Sequence, residues 1–164
     1  MGVVVRKFED RDAERVVDIM YESFKSFFKE RWDESHRGKP ENLKKSAHSE
    51  TPGSIITSLV AEVDGEVVGF LKIEINRSIG LGTLHSIGVD PRIFAKGVGK
   101  ALVAEAEVLW RQYRMRKIYT CTSHINSRAL AFYKSLGFEE EGLLKSHFMD
   151  GIDEIQLGKF YKYD

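Results

Sequence analysis

Asp90-Pro91-Arg92-Ile93-Phe94-Ala95-Lys96-Gly97-Val98-Gly99-Lys100-Ala101-Leu102 decides how the rest of this chain is read. An apolar run ends at Val89, a proline opens a loop, and Gly-x-Gly flanked by Lys96 and Lys100 leads into residues with helical spacing. Backbone N–H groups at a helix start, reinforced by the helix dipole, make an anion site. Glycines there let a phosphate reach the backbone where a Cβ would hold it away. The run therefore predicts a ligand with a pyrophosphate. Two nucleotide loops fail on spacing. A Walker loop needs Gly-Lys followed by Ser or Thr, and no such run occurs here. A dinucleotide fingerprint needs a third glycine three residues after the second, and that position is Leu102.

Asn126-Ser127-Arg128-Ala129-Leu130-Ala131-Phe132-Tyr133-Lys134-Ser135-Leu136-Gly137-Phe138 reads as a short capped helix. Asn126 suits an N-cap and Gly137 the residue past the C-cap. Taken with the first run, in this order and spacing, it resembles the GNAT superfamily of acetyl-CoA-dependent N-acyltransferases. The long glycine motif corresponds to residues 89–102, and the Asn…Ala…Phe-Tyr…Gly-Phe motif to residues 126–138. One departure stands out. The family's Arg or Gln at the head of the glycine core is Phe94 here, and the following Gly is Ala95. Backbone groups do most of the phosphate binding, so the change bears on coenzyme affinity, with Lys96 and Lys100 as replacement charges.

Composition narrows the class. A chain of 164 residues suits one domain spanning 1–164. Lys plus Arg equals Asp plus Glu at 25 each, so no bulk field favours nucleic acid or an acidic membrane. Cys121 is the single cysteine, which excludes an internal disulfide and a cysteine-rich metal site. A reducing cytoplasm is the simplest compartment. No signal-length or membrane-length apolar run is visible, and no metal is expected.

Apolar periodicity predicts strands over 3–8, 55–63, 66–75, 81–89, 117–122, 140–148 and 152–160, with helices over 10–28, 97–114 and from Asn126. Asp64-Gly65 is a hairpin signal. Residues 30–54 are polar and read as loop with a short helix. The order is an α/β mixture on a single mixed, mostly antiparallel central sheet with helices on both faces. The resemblance implies the same fold, with the strands at 84–89 and 117–122 splayed apart around the coenzyme.

The resemblance also assigns roles. The backbone of Ile87, Gly88 and Val89 pairs with the pantetheine arm. The N–H groups of Ala95, Lys96, Gly97, Val98, Gly99 and Lys100 take the pyrophosphate. Asn126 contacts the arm, and Tyr133 contacts the coenzyme and protonates the departing sulfur. A phenol suits that task, with reference values of about 10 for Tyr against about 8.5 for a thiol. His85 matches a histidine near the amine in the branch that acylates arylalkylamines. Period-two alternation puts it on the face of Ile87, and histidine titrates near neutrality, as a base should. Glu62 and Glu74 on the hairpin are candidates to hold a cationic amine. Against these readings stand ordinary ones: Tyr133 as packing, His85 as a structural histidine, Cys121 as core. The expectation is an N-acetyltransferase moving acetyl from acetyl-CoA to a primary amine by direct attack. The alternative is a non-catalytic acyl-CoA sensor or scaffold of the same fold. A nucleotide-binding protein using the glycine loop is a weaker third. The acceptor, small molecule or protein amine, is not legible, and a homodimer is left open.

Overall fold

The computed structural model describes residues 2–164. The strands are β1 (Val3–Lys7), β2 (Ser49–Glu50), β3 (Ser54–Val63), β4 (Glu66–Asn76), β5 (Leu81–Val89), β6 (Lys117–Ser123), β7 (Glu139–Met149) and β8 (Ile152–Phe160). The helices are α1 (Ala13–Phe28), α2 (Pro40–Ser46), α3 (Val98–Gln112) and α4 (Ser127–Ser135). Residues 30–54, the stretch without clear periodicity, fold into short 3-10 turns, α2 and the two-residue β2.

All eight strands share one sheet in the order β1-β3-β4-β5-β6-β8-β7, with β2 beside β3. Only β5 and β6 are parallel; every other pair is antiparallel. The β3–β4 hairpin turns on Asp64 and Gly65, both at positive φ (51° and 80°), as a two-residue turn of this hand requires. Helices α1 and α2 cover one face through Ala13, Val16 and Leu43 against Val60 and Phe70. Helices α3 and α4 cover the other through Leu102, Ala106, Trp110 and Tyr133 against Leu71, Ile73, Leu84 and Ile118. No helix among the described residues is long and apolar enough to cross a membrane.

Two irregularities shape the centre of the sheet. Lys72 pairs with Ser86 while the next residue, Ile73, pairs with Leu84, so His85 is the extra residue of a β-bulge in β5. The parallel β5–β6 pairing covers only Leu81, Gly82 and Thr83 against Lys117, Ile118 and Tyr119. Just past it, the Thr120 hydroxyl donates to the Leu84 carbonyl across 3.0 Å. Beyond that bridge the two strands part, and the expected splay is present.

Candidate active site

The glycine run folds as its residues dictate. Asp90 caps the turn Pro91–Ile93 by accepting from the Arg92 N–H at 3.0 Å. Its buried carboxylate also meets the guanidinium groups of Arg92 and of Arg15 on α1, each at 2.6 Å. Arg92 above all holds the Asp90 carboxyl far below the usual range. The loop is thereby fastened to α1. Ala95 and Gly97 both adopt left-handed backbone, at φ 64° and 83°. Gly97 is the N-cap of α3, and no side chain caps that helix start. The first-turn N–H groups of α3 thus have no side-chain acceptor of their own.

These groups open into a cavity of about 780 Å³. Its walls are Ile87–Val89 of β5, Phe94, Ala95 and Gly97–Lys100 of the loop, the N-terminal part of α4, and the Ser23 and Phe27 flank of α1. A Cβ on Gly88 would collide with the Met20 sulfur, so this glycine lets α1 lie directly on β5. Asn126 both caps α4, accepting from the Ala129 N–H at 3.1 Å, and faces the cavity. Where the family has Arg or Gln, Phe94 carries the Arg128 guanidinium 4.2 Å above its ring, and both line the cavity. Lys100 lines it too, but Lys96 does not. The cations along this wall are therefore Lys100 and Arg128, the second a residue that sequence reasoning passed over because its partner Phe94 lies on another element.

Tyr133 is only 3% exposed and sits in the core, edge-on to Phe138 at 5.6 Å. Burial raises its phenol well above the usual value, partly offset by the Thr120 side chain beside it. Thr120 is the same residue that bridges the strands where they part, so the Tyr133 hydroxyl lies at the root of the splay, but Tyr133, expected to contact the coenzyme, does not line the cavity, which its neighbour Phe132 does. His85 stands elsewhere than alternation predicted. The bulge shifts the strand phase, so Ile87 packs with the α3 side while Ser86 lines a cavity with Lys72 and Phe70 on the α1 side. His85 turns to the α1 side as well, its Nε2 lying 2.9 Å from Glu74. Glu74 also accepts from the Ser54 hydroxyl at 2.8 Å, and that bond, with His85, lowers its carboxyl. Glu62 is excluded from the site, because Arg6 holds it at 2.6 Å on the outer strand pair. Cys121 is half-buried, and burial raises its thiol, as for a packed cysteine. Glu154 on β8 was not singled out by its sequence. It is a buried carboxylate whose pKa burial raises, and no hydrogen bond or ion pair reaches it among the described residues.

A second cavity of about 350 Å³ lies between α1, α2 and the sheet. Residues 30–54 contribute Trp32, His36, Lys39 and Leu43 to it, which gives that motif-free stretch a place in the architecture. Among the described residues no group of three or more His, Cys, Asp or Glu could hold a metal ion.

Comparison with known proteins agrees with this geometry. Residues 17–138 match the Acetyltransferase (GNAT) family. The chain belongs to that family. An N-alpha-acetyltransferase of Sulfurisphaera tokodaii is 35% identical over 105 residues, 57% of this chain and 63% of that one. An uncharacterised N-acetyltransferase of Methanocaldococcus jannaschii is 27% identical over 96% of this chain and 91% of its own. The L-amino acid N-acetyltransferase of Escherichia coli is 34% identical over 60% of this chain and 62% of its own. The chain thus spans less than two thirds of the Sulfurisphaera and Escherichia relatives. The PaiA N-acetyltransferase of Thermoplasma acidophilum, solved with coenzyme A, shares the fold with a TM-score of 0.74 at 21% identity, covering 98% of this chain and all of that one.

Proposed function

We propose that this protein moves an acetyl group from acetyl-CoA to a primary amine by direct attack, without an acyl-enzyme. The observation that carries this reading is the splay of β5 and β6 opening beside an uncapped helix start, with one cavity joining the two. A strand edge released from its partner offers unpaired backbone groups, and an amide-bearing pantetheine arm is the kind of chain that pairs with it. The α3 N-terminus and the Ala95–Lys100 amides suit the pyrophosphate, with Lys100 and the Arg128 guanidinium adding charge. Asn126 keeps its Nδ2 amide for the arm, because its cap uses only Oδ1.

Acetyl-CoA supplies the acetyl group already activated as a thioester. The amine nitrogen bonds to the carbonyl carbon, the carbon–sulfur bond breaks, and two protons must move. His85, oriented by Glu74, takes the amine's proton directly or through a water. Tyr133 gives its proton to the sulfur. Burial keeps that phenol protonated, so its proton is in place when the sulfur departs. A sensor or scaffold would use the same cavity but would have no use for the His85–Glu74 pair or a phenol at the root of the splay. The compartment we propose is the cytoplasm.

The deciding experiment follows free thiol release from acetyl-CoA with a panel of amines. Release that depends on an amine is expected. Tight coenzyme binding with no turnover on any amine would support the scaffold instead.

A further inference from the structure

The second cavity has an unusual balance of polar groups. Among the described residues no Asp or Glu lines it. Lys72 projects from β4 into it, partly buried, and no hydrogen bond or ion pair reaches its ammonium among the described residues. Burial pushes that ammonium below its usual value, with no carboxylate to pull it back. Lys39 adds a second cation at the rim. Tyr21, Phe24, Trp32 and Phe70 give it an aromatic wall, and His36, Asn42, Ser46 and Ser86 are its uncharged polar groups. An unpaired, partly buried ammonium beside an aromatic wall favours a ligand with an anionic acceptor group and an apolar body.

Position says which end of that ligand reacts. Lys72 is paired in register with Ser86, and Ser86 directly precedes Ile87 on the wall of the coenzyme cavity. His85, the proposed base, is the bulged residue beside this pair. His85 lines neither cavity, so the register alone sets the arrangement: a carboxylate at Lys72 and an amine at the bulge, one strand position apart.

We infer that the second cavity is the acceptor pocket and that it takes a free α-amino acid with an apolar or aromatic side chain, its carboxylate held by Lys72 and its side chain among Tyr21, Phe24, Trp32 and Phe70. This rests on the acetyltransferase reading and selects among its acceptors. A peptide N-terminus is disfavoured, because its first carbonyl is a neutral amide and leaves Lys72 unpaired.

The test compares L-phenylalanine and L-leucine with L-phenylalaninamide and L-leucinamide as acceptors for the whole protein. Thiol release should favour the acids by roughly 10- to 100-fold in kcat/KM, chiefly through KM, the scale of a charge-assisted hydrogen bond. Lys72→Met should bring the acid-to-amide ratio to near one. Amides used as well as the acids by the parent protein, or an unchanged ratio in Lys72→Met, overturns the inference while leaving the acetyltransferase reading intact. Calorimetry with L-phenylalanine alone separates the two further. Binding that is lost in Lys72→Met supports the pocket even if no acceptor turns over, and no binding to the parent protein counts against it. The parent's own selectivity needs no variant, so a misfolded Lys72→Met cannot rescue the idea.

Discussion

At the scale of single residues, Tyr133 carries the sharpest claim. Its ring is core, packed on Phe138, while its hydroxyl reaches the root of the splay beside Thr120. Tyr133→Phe removes one oxygen and almost no packing. The catalytic rate should fall by roughly 10- to 1,000-fold with acetyl-CoA binding nearly intact, as for a lost general acid. A rate within twofold of the parent returns Tyr133 to packing alone. His85 is tested by pH. If it accepts the amine's proton, the acidic limb of the rate profile reports a group that must be deprotonated. His85→Ala should flatten that limb for two acceptors of different basicity. A limb that survives and follows the acceptor's own ionisation passes the role to a water or to a buried carboxylate such as Glu154. Ala95 carries a backbone claim. A Cβ at φ 64° costs about 1 kcal/mol relative to glycine, partly offset because glycine loosens the unfolded chain. Ala95→Gly should therefore leave thermal stability unchanged or slightly higher, and tighten acetyl-CoA binding. Weaker binding would show that the methyl group itself contacts the ligand.

Among the elements, the junction of β5, the glycine loop and α1 turns on Asp90. Its carboxyl titrates far below normal in the folded protein because two guanidinium groups and a backbone N–H all require its charge. A folded-state value below the unfolded one stabilises the fold above the ordinary carboxylate range, and that contribution is lost as pH falls below it. Asp90→Asn should cost about 2–4 kcal/mol at neutral pH, the scale of removing one partner from a buried ion pair. It should also weaken the dependence of melting temperature on pH in the acid range. An unchanged acid limb in urea melts would place the acid sensitivity elsewhere, with Asp12 the next candidate, since Arg6 also lowers its carboxyl.

For the whole molecule, the sheet is two parts joined by three parallel residue pairs and one Thr120 bridge. One part is β1 to β5, the other β6, β8 and β7. A ligand seated in the splay touches both, so acetyl-CoA should couple them. At a hundredfold excess over its dissociation constant it should raise the melting temperature by roughly 5–10 °C. Amide exchange should slow together along residues 84–89 and 120–123. Slowing confined to the α3 N-terminus would mean that only the phosphates are held.

Much of this was written locally. The strand and helix order follows from apolar period, because a sheet face repeats every second residue and a helix face every third or fourth. The Asp64-Gly65 turn, the Gly97 cap and the Asn126 cap are each set by one residue's backbone chemistry, so the glycine loop and its helix were legible. What sequence alone could not settle depends on partners far apart in the chain. The bulge at His85 is a mismatch between β4 and β5, and neither strand announces it. It moved His85 off the face that strict alternation predicts and towards Glu74. Arg128 stands over Phe94 on the wall of the larger cavity, and among the described residues no acidic side chain lines the cavity that Lys72 enters. Local conformation is decided by neighbours a few residues away. A site's charge balance is decided by which distant side chains the folded chain brings together, and which it keeps away.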